Sequence, residues 1–283
     1  MKKSTLITDF DNTLYDWFHM WHQSFGAMLN EIIKISGIDR SVLIPQIRAL
    51  HQKYHTSEYA FLIENLACLK EKFPQQDLLR VFDEAIHAFR KARKSSLQLY
   101  NDVSETLKEL RAKNILIVVY TESLGFYTNY RIHKLGLDEL VDYVFSPPDH
   151  EFQKGEAENK NGFSYNEETR LVHAKHLYIP RGVVKPNPEV LLDIVKEISR
   201  SPEECVYVGD SLMKDVAMSQ DAGITDVHAA YGGVQHLEEY NLLRQVSHWT
   251  DVDVEKERKT SNRLITPTHS LSKFSEIVQL FRE

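Results

Sequence analysis

Short apolar runs alternate with helical patterns along most of this 283-residue chain. Each run has the length of a strand and is apolar almost throughout, which is typical of strands buried on both faces of a parallel sheet. Alternating strands and helices imply right-handed crossovers, so we predict an α/β fold with a doubly wound, Rossmann-like parallel sheet. The predicted strands are residues 5–8, 115–120, 143–145, 205–208 and, more weakly, 226–230, and helical patterns at 101–113 and 188–199 precede two of them.

Two stretches interrupt this alternation. Residues 15–99 contain several helical patterns and no convincing strand, which predicts an all-helical lobe inserted after the first strand. We therefore expect a core of residues 1–14 and 100–283 and a helical domain of residues 15–99. A second, polar stretch at about 147–182 is too long for a routine connection and is either functional or disordered, although its later half, 169–179, reads as a strand or hairpin arm. The C-terminal extension ends in a predicted helix from about Leu271.

Charge and hydropathy exclude several classes of protein. The formal net charge of −7 gives no electrostatic reason to expect nucleic acid or an anionic membrane as a partner. No apolar run approaches the roughly 20 residues of a membrane-spanning helix. The two cysteines, Cys68 and Cys205, lie far apart in sequence and are expected to be reduced thiols. These features predict a soluble cytoplasmic protein, either a monomer or a homodimer.

Four stretches that end a predicted strand or open the helix beyond it carry polar side chains of different types. In a doubly wound sheet such strand ends converge in one crevice. A crevice that gathers this many carboxylates needs a cation, and Mg²⁺ suits oxygen ligands supplied by carboxylates, water and a substrate phosphate. The stretches are DFDNTLY at 9–15, VVYTES at 118–123, VVKPNP at 183–188 and VYVGDSLMKDV at 206–216, and their aspartates are Asp9, Asp11, Asp210 and Asp215.

The same stretches provide groups that could bind and cleave a phosphate ester. Lys185 would supply positive charge, and Thr121 a hydroxyl donor backed by backbone amides. Glu122 is placed with them at the phosphate position, although its carboxylate is expected to point away or to contact the helical lobe. One aspartate of the Asp9/Asp11 pair could attack phosphorus to give an aspartyl-phosphate, and the other could protonate the leaving oxygen and then activate water.

The four stretches together resemble the signature motifs of the haloacid dehalogenase superfamily. They occur in the family's order, and each lies at a predicted strand end. The matching segments are DxDxT at 9–13, the motif-two threonine at 121, the motif-three lysine at 185 and GDxxxxD at 209–215. The resemblance implies that Asp9 is the nucleophile, that Asp11 is the acid and base, and that Thr121 and Lys185 bind phosphate.

The resemblance also implies a metal site and a lid. Mg²⁺ would be held by Asp9, the carbonyl of Asp11 and Asp210, with Asp215 either a further ligand or a residue that supports the ligands. The helical lobe resembles the family's cap, which is inserted just after the first motif and selects the substrate.

These features predict a Mg²⁺-dependent phosphatase, a phosphoric monoester hydrolase that acts through a phosphoaspartate intermediate. The expected substrate is a small phosphorylated metabolite such as a nucleoside monophosphate, a sugar phosphate or a phosphoglycolate-like compound. A phosphoprotein phosphatase, or a protein-binding module that uses the 147–182 insertion, is an alternative. A phosphomutase shares the same intermediate, while Asp11 argues against a haloacid dehalogenase, because those relatives lack the second aspartate.

Overall fold

The protein divides into two compact units. In this computed structural model, residues 2–149, 169–250 and 265–281 are described. Within them, one unit takes residues 2–16, 98–149, 169–233 and 265–281, and the other takes residues 17–97 and 234–250. The expected boundaries at 14/15 and 99/100 lie within two residues of the observed ones at 16/17 and 97/98. Residues 234–250 differ from the expectation, because they group with the helical unit.

The first unit is built on a seven-stranded parallel sheet, which confirms the predicted α/β class. Its strand order is β4-β3-β2-β1-β5-β6-β7, and every neighbouring pair is parallel. The chain builds one side of β1 with β2 to β4 and then crosses to the other side with β5, so the strand order reverses beside β1. Numbered along the chain, the strands are β1 (Thr5–Thr8), β2 (Leu116–Tyr120), β3 (Tyr143–Ser146), β4 (Lys175–Tyr178), β5 (Cys205–Gly209), β6 (Thr225–Ala229) and β7 (His269–Leu271).

Two of the four α-helices described in this unit follow from local sequence signals. The apolar stripe of the predicted helix at 101–113 is buried, and the observed helix ends slightly earlier. Asn187 caps the helix that follows the KPNP stretch, because its side chain accepts the N–H of Val190 at 3.1 Å, and Pro188 occupies the first turn. Numbered along the chain, the four helices of this unit are α7 (Val103–Ala112), α8 (Gly125–Lys134), α9 (Pro188–Glu197) and α10 (Ala217–Asp221).

The two edges of the sheet differ from the sequence-based picture. The 147–182 stretch contributes β4, which pairs with β3, while its residues 150–168 lie outside the described part of the chain. At the other edge, β7 precedes a 3₁₀ helix at Phe274–Phe281 where a single helix from about Leu271 was expected. A three-residue strand is too short to show a period in the sequence, so only its pairing with β6 reveals it.

The second unit is all-helical. Its first helix ends where the sequence predicts, at Gly37, whose φ of +62° and N–H bond to Ile33 complete a C-terminal cap. Leu243 and Val246 are buried in the same apolar cluster as the first helix, which explains why residues 234–250 join this unit. Among the described residues, none of the helices combines the length and the apolar character of a membrane span. The helices are α1 (Trp17–Ser36), α2 (Arg40–Tyr54), α3 (Leu62–Asn65), α4 (Ala67–Lys72), α5 (Leu78–Val81), α6 (Asp83–Ser96) and α11 (Tyr240–Val246).

Candidate active site

The turn after β1 places Asp9 at the centre of the sheet. The Asp9 N–H continues the pairing with β5 by donating to the carbonyl of Val208 at 2.8 Å. The chain then turns sharply, with Asn12 at a φ of +59° and the Leu14 N–H bonded to the carbonyl of Phe10. Asparagine tolerates this left-handed conformation better than most residues, so the DFDNT sequence suits the turn locally. The Asp9 carboxylate consequently lies beside β1, where the strand order reverses.

Lys185 joins two of the predicted motifs through a buried ammonium group. Its Nζ donates to Asp9 Oδ1 at 2.6 Å and to Asp215 Oδ1 at 3.0 Å. The ammonium also lies over the rings of Tyr120 and Tyr207, 4.8 and 5.5 Å from their centroids. Burial disfavours the charged amine, but the two carboxylates outweigh it and hold the pKa of Lys185 well above its ordinary value. Lys185 therefore stays positively charged at the strand ends.

Three carboxylates near this lysine lie close enough to one another to hold one metal ion. Oxygen atoms of Asp9, Asp210 and Asp215 all lie within 4.8 Å of one another. Burial, together with the neighbouring carboxylates, raises the pKa of Asp9 and of Asp210 above their ordinary values, and the nearby ammonium groups do not fully offset this. Clustered hard oxygen donors with uncompensated negative charge fit a divalent cation such as Mg²⁺.

Asp215 is the most extensively bonded of the three. Besides the Lys185 contact, Oδ1 accepts the hydroxyl of Tyr207 at 3.0 Å and Oδ2 accepts the N–H of Ser211 at 3.1 Å. The carboxylate lies against Gly209, where a Cβ would stand 2.3 Å from Asp215 Cγ. Gly209 does not have a positive φ, so its backbone conformation does not require glycine. Glycine is needed here because a Cβ would prevent the close approach of Asp215. These contacts orient Asp215, and a role as metal ligand or as support for the ligands stays a prediction.

The motif-two stretch after β2 lies beside this group. Thr121 is buried, and its hydroxyl oxygen accepts the N–H of Ser123 at 3.0 Å, which leaves the hydroxyl proton available to an acceptor. The carboxylate of Glu122 instead accepts the backbone N–H of Lys185 at 2.9 Å and the Nζ of Lys214 at 2.6 Å. Phosphate binding by Thr121 and Glu122 stays a prediction. The Glu122 carboxylate would repel a phosphate, so at this residue the prediction concerns the backbone.

Glu122 therefore ties the motif-two, motif-three and motif-four stretches together. Burial opposes its ionisation, but the ammonium groups of Lys214 and Lys185 outweigh burial and hold the pKa of Glu122 below its ordinary value. A charged carboxylate accepting a backbone N–H makes a strong hydrogen bond. This bond holds the backbone of Lys185 independently of the contacts that its ammonium makes.

Asp11 lies apart from the three clustered carboxylates. Its Oδ2 accepts the hydroxyl of Ser123 at 2.6 Å, and its Oδ1 accepts the hydroxyl of Tyr15. The guanidinium of Arg131 lies 3.6 Å from Oδ1. The two aspartates therefore have different partners: Asp9 is held by Lys185, whereas Asp11 is held by Ser123 and Tyr15 and lies against Arg131. The role of the Asp11 carbonyl as a metal ligand stays a prediction.

The loop after β6 packs directly on the turn after β1. The Tyr231 hydroxyl donates to the carbonyl of Thr13 at 2.7 Å. A Cβ at Gly232 would lie 2.0 Å from the carbonyl oxygen of Asn12 and 2.9 Å from the Cβ of Asp210. Only glycine permits this approach, so Gly232 helps to define the shape of the site.

Sequence reasoning missed several residues that make these contacts. Tyr207 was part of an apolar run and offered no signal, because a strand tyrosine reads as core. Lys214 lies within the GDSLMKD stretch but resembles a solvated helix lysine. Arg131 offered a usable signal, since it lies on the buried face of α8 beside Thr128 and Ile132, where an unpaired arginine is costly.

Comparison with known proteins places this arrangement in a family. A model of the haloacid dehalogenase-like hydrolases matches residues 3–163 and 166–223. The chain is 22% identical over 242 residues to a glyceraldehyde 3-phosphate phosphatase of Methanopyrus kandleri, covering 83% of this chain and 88% of that protein.

Solved structures share the fold at low sequence identity. A 2-haloacid dehalogenase from Pseudomonas syringae pv. Tomato aligns with a TM-score of 0.56 at 17% identity, covering 99% of this chain and 98% of that one. The magnesium-bound HAD-hydrolase YfnB from Bacillus subtilis aligns with a TM-score of 0.52 at 16% identity over the whole of both chains. Since the family model covers well over half of the sequence, the chain belongs to the haloacid dehalogenase-like hydrolases.

Proposed function

We propose that this hydrolase is a Mg²⁺-dependent phosphatase that cleaves a small phosphorylated metabolite through an aspartyl-phosphate intermediate. The observation that carries the proposal is the bridge from the Lys185 ammonium to Asp9 and Asp215, next to Asp210. The bridge supports the proposal because it brings the candidate nucleophile, a positive charge and three carboxylates that could hold a metal ion close together. The relative named as a glyceraldehyde 3-phosphate phosphatase supports a small phosphate ester as substrate.

The residues that would hold Mg²⁺ are Asp9 and Asp210, with the Asp11 carbonyl as a further ligand and Asp215 as ligand or support. Bound there, the ion would neutralise negative charge on the carboxylates and the phosphate, which otherwise repel one another. The crystal form of YfnB described as bound to magnesium supports this choice of ion.

Asp9 is the proposed nucleophile. Its Oδ2 accepts the Thr13 hydroxyl at 3.2 Å and its Oδ1 faces Lys185, so its orientation is restricted before a substrate arrives. Attack by a carboxylate oxygen forms an O–P bond as the bond from phosphorus to the leaving oxygen breaks. Lys185 and the Thr121 hydroxyl would bind the phosphoryl oxygens during this step.

Asp11 is the proposed acid and base. In the first step its carboxyl proton passes to the leaving oxygen, which departs as an alcohol. In the second step the Asp11 carboxylate takes a proton from water while the water oxygen attacks phosphorus. The acyl-phosphate bond then breaks, which regenerates the Asp9 carboxylate and releases inorganic phosphate.

The helical unit is the proposed cap. It follows the first motif within a few residues, as caps of this family do, and selection of substrate would belong to its side chains. The phosphoprotein and protein-binding alternatives depend on the 147–182 insertion, most of which lies outside the described residues.

The test is hydrolysis of 4-nitrophenyl phosphate and of a panel of nucleotides, sugar phosphates, triose phosphates and phosphoglycolate, with and without EDTA. We expect EDTA to stop turnover and Mg²⁺ to restore it. Asp9→Asn should lower kcat by about 10,000-fold or more, since it removes the nucleophile. Mass spectrometry of the acid-quenched enzyme should find the phosphoryl group on Asp9.

Asp193→Asn is the matched control, because it makes the same change at an exposed position on α9. It should leave kcat unchanged. Full activity of Asp9→Asn, or turnover that resists EDTA, would contradict the proposed mechanism.

A further inference from the structure

Arg131 is a fully buried charge that the proposed mechanism does not use. Its side chain on α8 is only 1% exposed. Burying a guanidinium is unfavourable unless a counter-charge and hydrogen bonds offset the loss of water. The carboxylate that the structure places against it is Asp11, with Oδ1 3.6 Å from Nη1. A costly buried arginine therefore faces the proposed acid and base.

The arginine also reaches Asp11 through a hydroxyl group. Nη1 of Arg131 donates to Ser123 Oγ at 3.1 Å, and the Ser123 hydroxyl donates to Asp11 Oδ2 at 2.6 Å. Because Arg131 can only donate, it leaves the Ser123 proton directed at the carboxylate. The Ser123 carbonyl oxygen accepts the Thr128 hydroxyl at 3.0 Å, which restricts the backbone that carries the Ser123 hydroxyl.

Aromatic rings hold the guanidinium in place. It lies 5.7 Å from the ring centroid of Tyr15 and 5.3 Å from that of Tyr127. Tyr15 is fully buried, and its hydroxyl donates to Asp11 Oδ1, so one tyrosine contacts both members of the ion pair. Both oxygens of Asp11 thus receive donors from side chains whose own positions are restricted.

We propose that Arg131 is a positioning residue that acts through Ser123 to fix the orientation of the Asp11 carboxyl group for proton transfer to the leaving oxygen. The inference rests on the proposed phosphatase function. In this role Arg131 acts on Asp11 and not on the phosphate ester: its guanidinium lies 3.6 Å from Asp11 Oδ1 and donates to Ser123 Oγ. It restricts rotation of the Asp11 carboxyl, and proton transfer depends strongly on such alignment.

Dependence on the leaving group separates this role from a purely structural one. Phenol is a more basic leaving group than 4-nitrophenol, so phenyl phosphate needs protonation of its leaving oxygen more than 4-nitrophenyl phosphate does. A misaligned Asp11 should therefore slow the first ester more. Loss of folded enzyme would instead slow both esters equally.

The experiment measures release of phenol and of 4-nitrophenol in a single turnover with Mg²⁺ present. Because a general acid contributes roughly 100- to 10,000-fold, we expect Arg131→Met to slow phenyl phosphate at least about 10-fold more than 4-nitrophenyl phosphate. Ser123→Ala, which leaves the arginine in place, should shift the ratio in the same direction. Arg111→Met, which removes an arginine paired to Asp142 at 2.8 Å outside the site, should leave the ratio unchanged.

A second comparison uses the Asp11→Asn background. If Arg131 acts through Asp11, adding Arg131→Met to Asp11→Asn should change the ratio of the two rates by less than about 2-fold, because the effects of coupled residues do not add. Equal slowing of both esters by Arg131→Met and by Ser123→Ala would overturn the inference, as would a full additional effect in the Asp11→Asn background. If Arg131→Met does not fold, as judged by circular dichroism, Ser123→Ala decides. A wild-type protein that hydrolyses neither ester would refute the proposed function, and the inference with it.

Discussion

A buried histidine should make the helical unit sensitive to acid. His51 on α2 is only 1% exposed, and its Nδ1 lies 2.6 Å from the carbonyl oxygen of Val246 at the end of α11. Since a carbonyl only accepts, Nδ1 must carry the proton of the neutral ring. Burial lowers the pKa of His51 to about 4, and the Val246 carbonyl only partly opposes this.

The sign and size of the effect follow from proton linkage. Well above pH 6.5 the ring is neutral in both the folded and the unfolded protein, so it does not change the free energy of unfolding. As the pH falls from 6.5 towards 4, the unfolded chain binds a proton that the folded protein does not, so the free energy of unfolding falls. With pKa values of 6.5 unfolded and about 4 folded, the loss is about 2 kcal/mol at pH 5 and about 3 kcal/mol at pH 4.

Tryptophan fluorescence in urea is the assay. The three tryptophans of the chain, Trp17, Trp21 and Trp249, all belong to the helical unit, so their emission reports its unfolding. His51→Asn places an amide donor near Nδ1 and does not titrate. We expect the free energy of unfolding to fall between pH 7.5 and 5 by about 2 kcal/mol more in the wild type than in this variant.

The control substitutes an exposed histidine. The side chain of His87 on α6 is 63% exposed, and His87→Asn should keep the acid sensitivity of the wild type. If His51→Asn and the wild type lose the same free energy of unfolding between the two pH values, the reasoning about His51 is refuted.

Two further predictions concern the α/β unit. Lys214→Met should destabilise it by about 1.5–3 kcal/mol, because Glu122 loses a charged hydrogen bond. The double variant Lys214→Met/Glu122→Gln should lose much less free energy of unfolding than the sum of the losses in the two single variants. Additive losses in urea unfolding would contradict the pairing. Gly232→Ala should destabilise by about 1–3 kcal/mol and lower kcat, since its Cβ would lie 2.0 Å from the Asn12 carbonyl oxygen, whereas Gly26→Ala in α1, with open space around it, should stabilise by up to about 1 kcal/mol. Unfolding curves and kcat for both glycine variants check this, and equal stability of the two would count against it.

Much of the fold could be predicted because its signals are local. The β1 bounds match the predicted run at 5–8, and α1 ends at the glycine cap that the sequence marks. Buried parallel strands are apolar throughout, and amphipathic helices repeat at 3.6 residues, so both leave a pattern within a short window. The strand β7 left none, because three residues are too few.

The membership of α11 in the helical unit could not be predicted either. It depends on contacts such as that between His51 and Val246, which are 195 residues apart in the chain. The sequence around His51 does not predict a contact with Val246, because such a long-range contact is selected by packing rather than by local propensity.

The candidate site divides in the same way. The sequence alone determined which chemical groups stand at the strand ends, because the spacing of Asp9 and Asp11 and the position of Lys185 before its helix are properties of short segments. The tertiary structure decided which partner each group contacts. Lys185 bridges Asp9 and Asp215, and the Glu122 carboxylate accepts the backbone N–H of Lys185. The guanidinium of Arg131 lies against the Asp11 carboxylate. The physical reason is that a buried charge must find its counter-charge across the fold, and only the packed chain shows which one it meets.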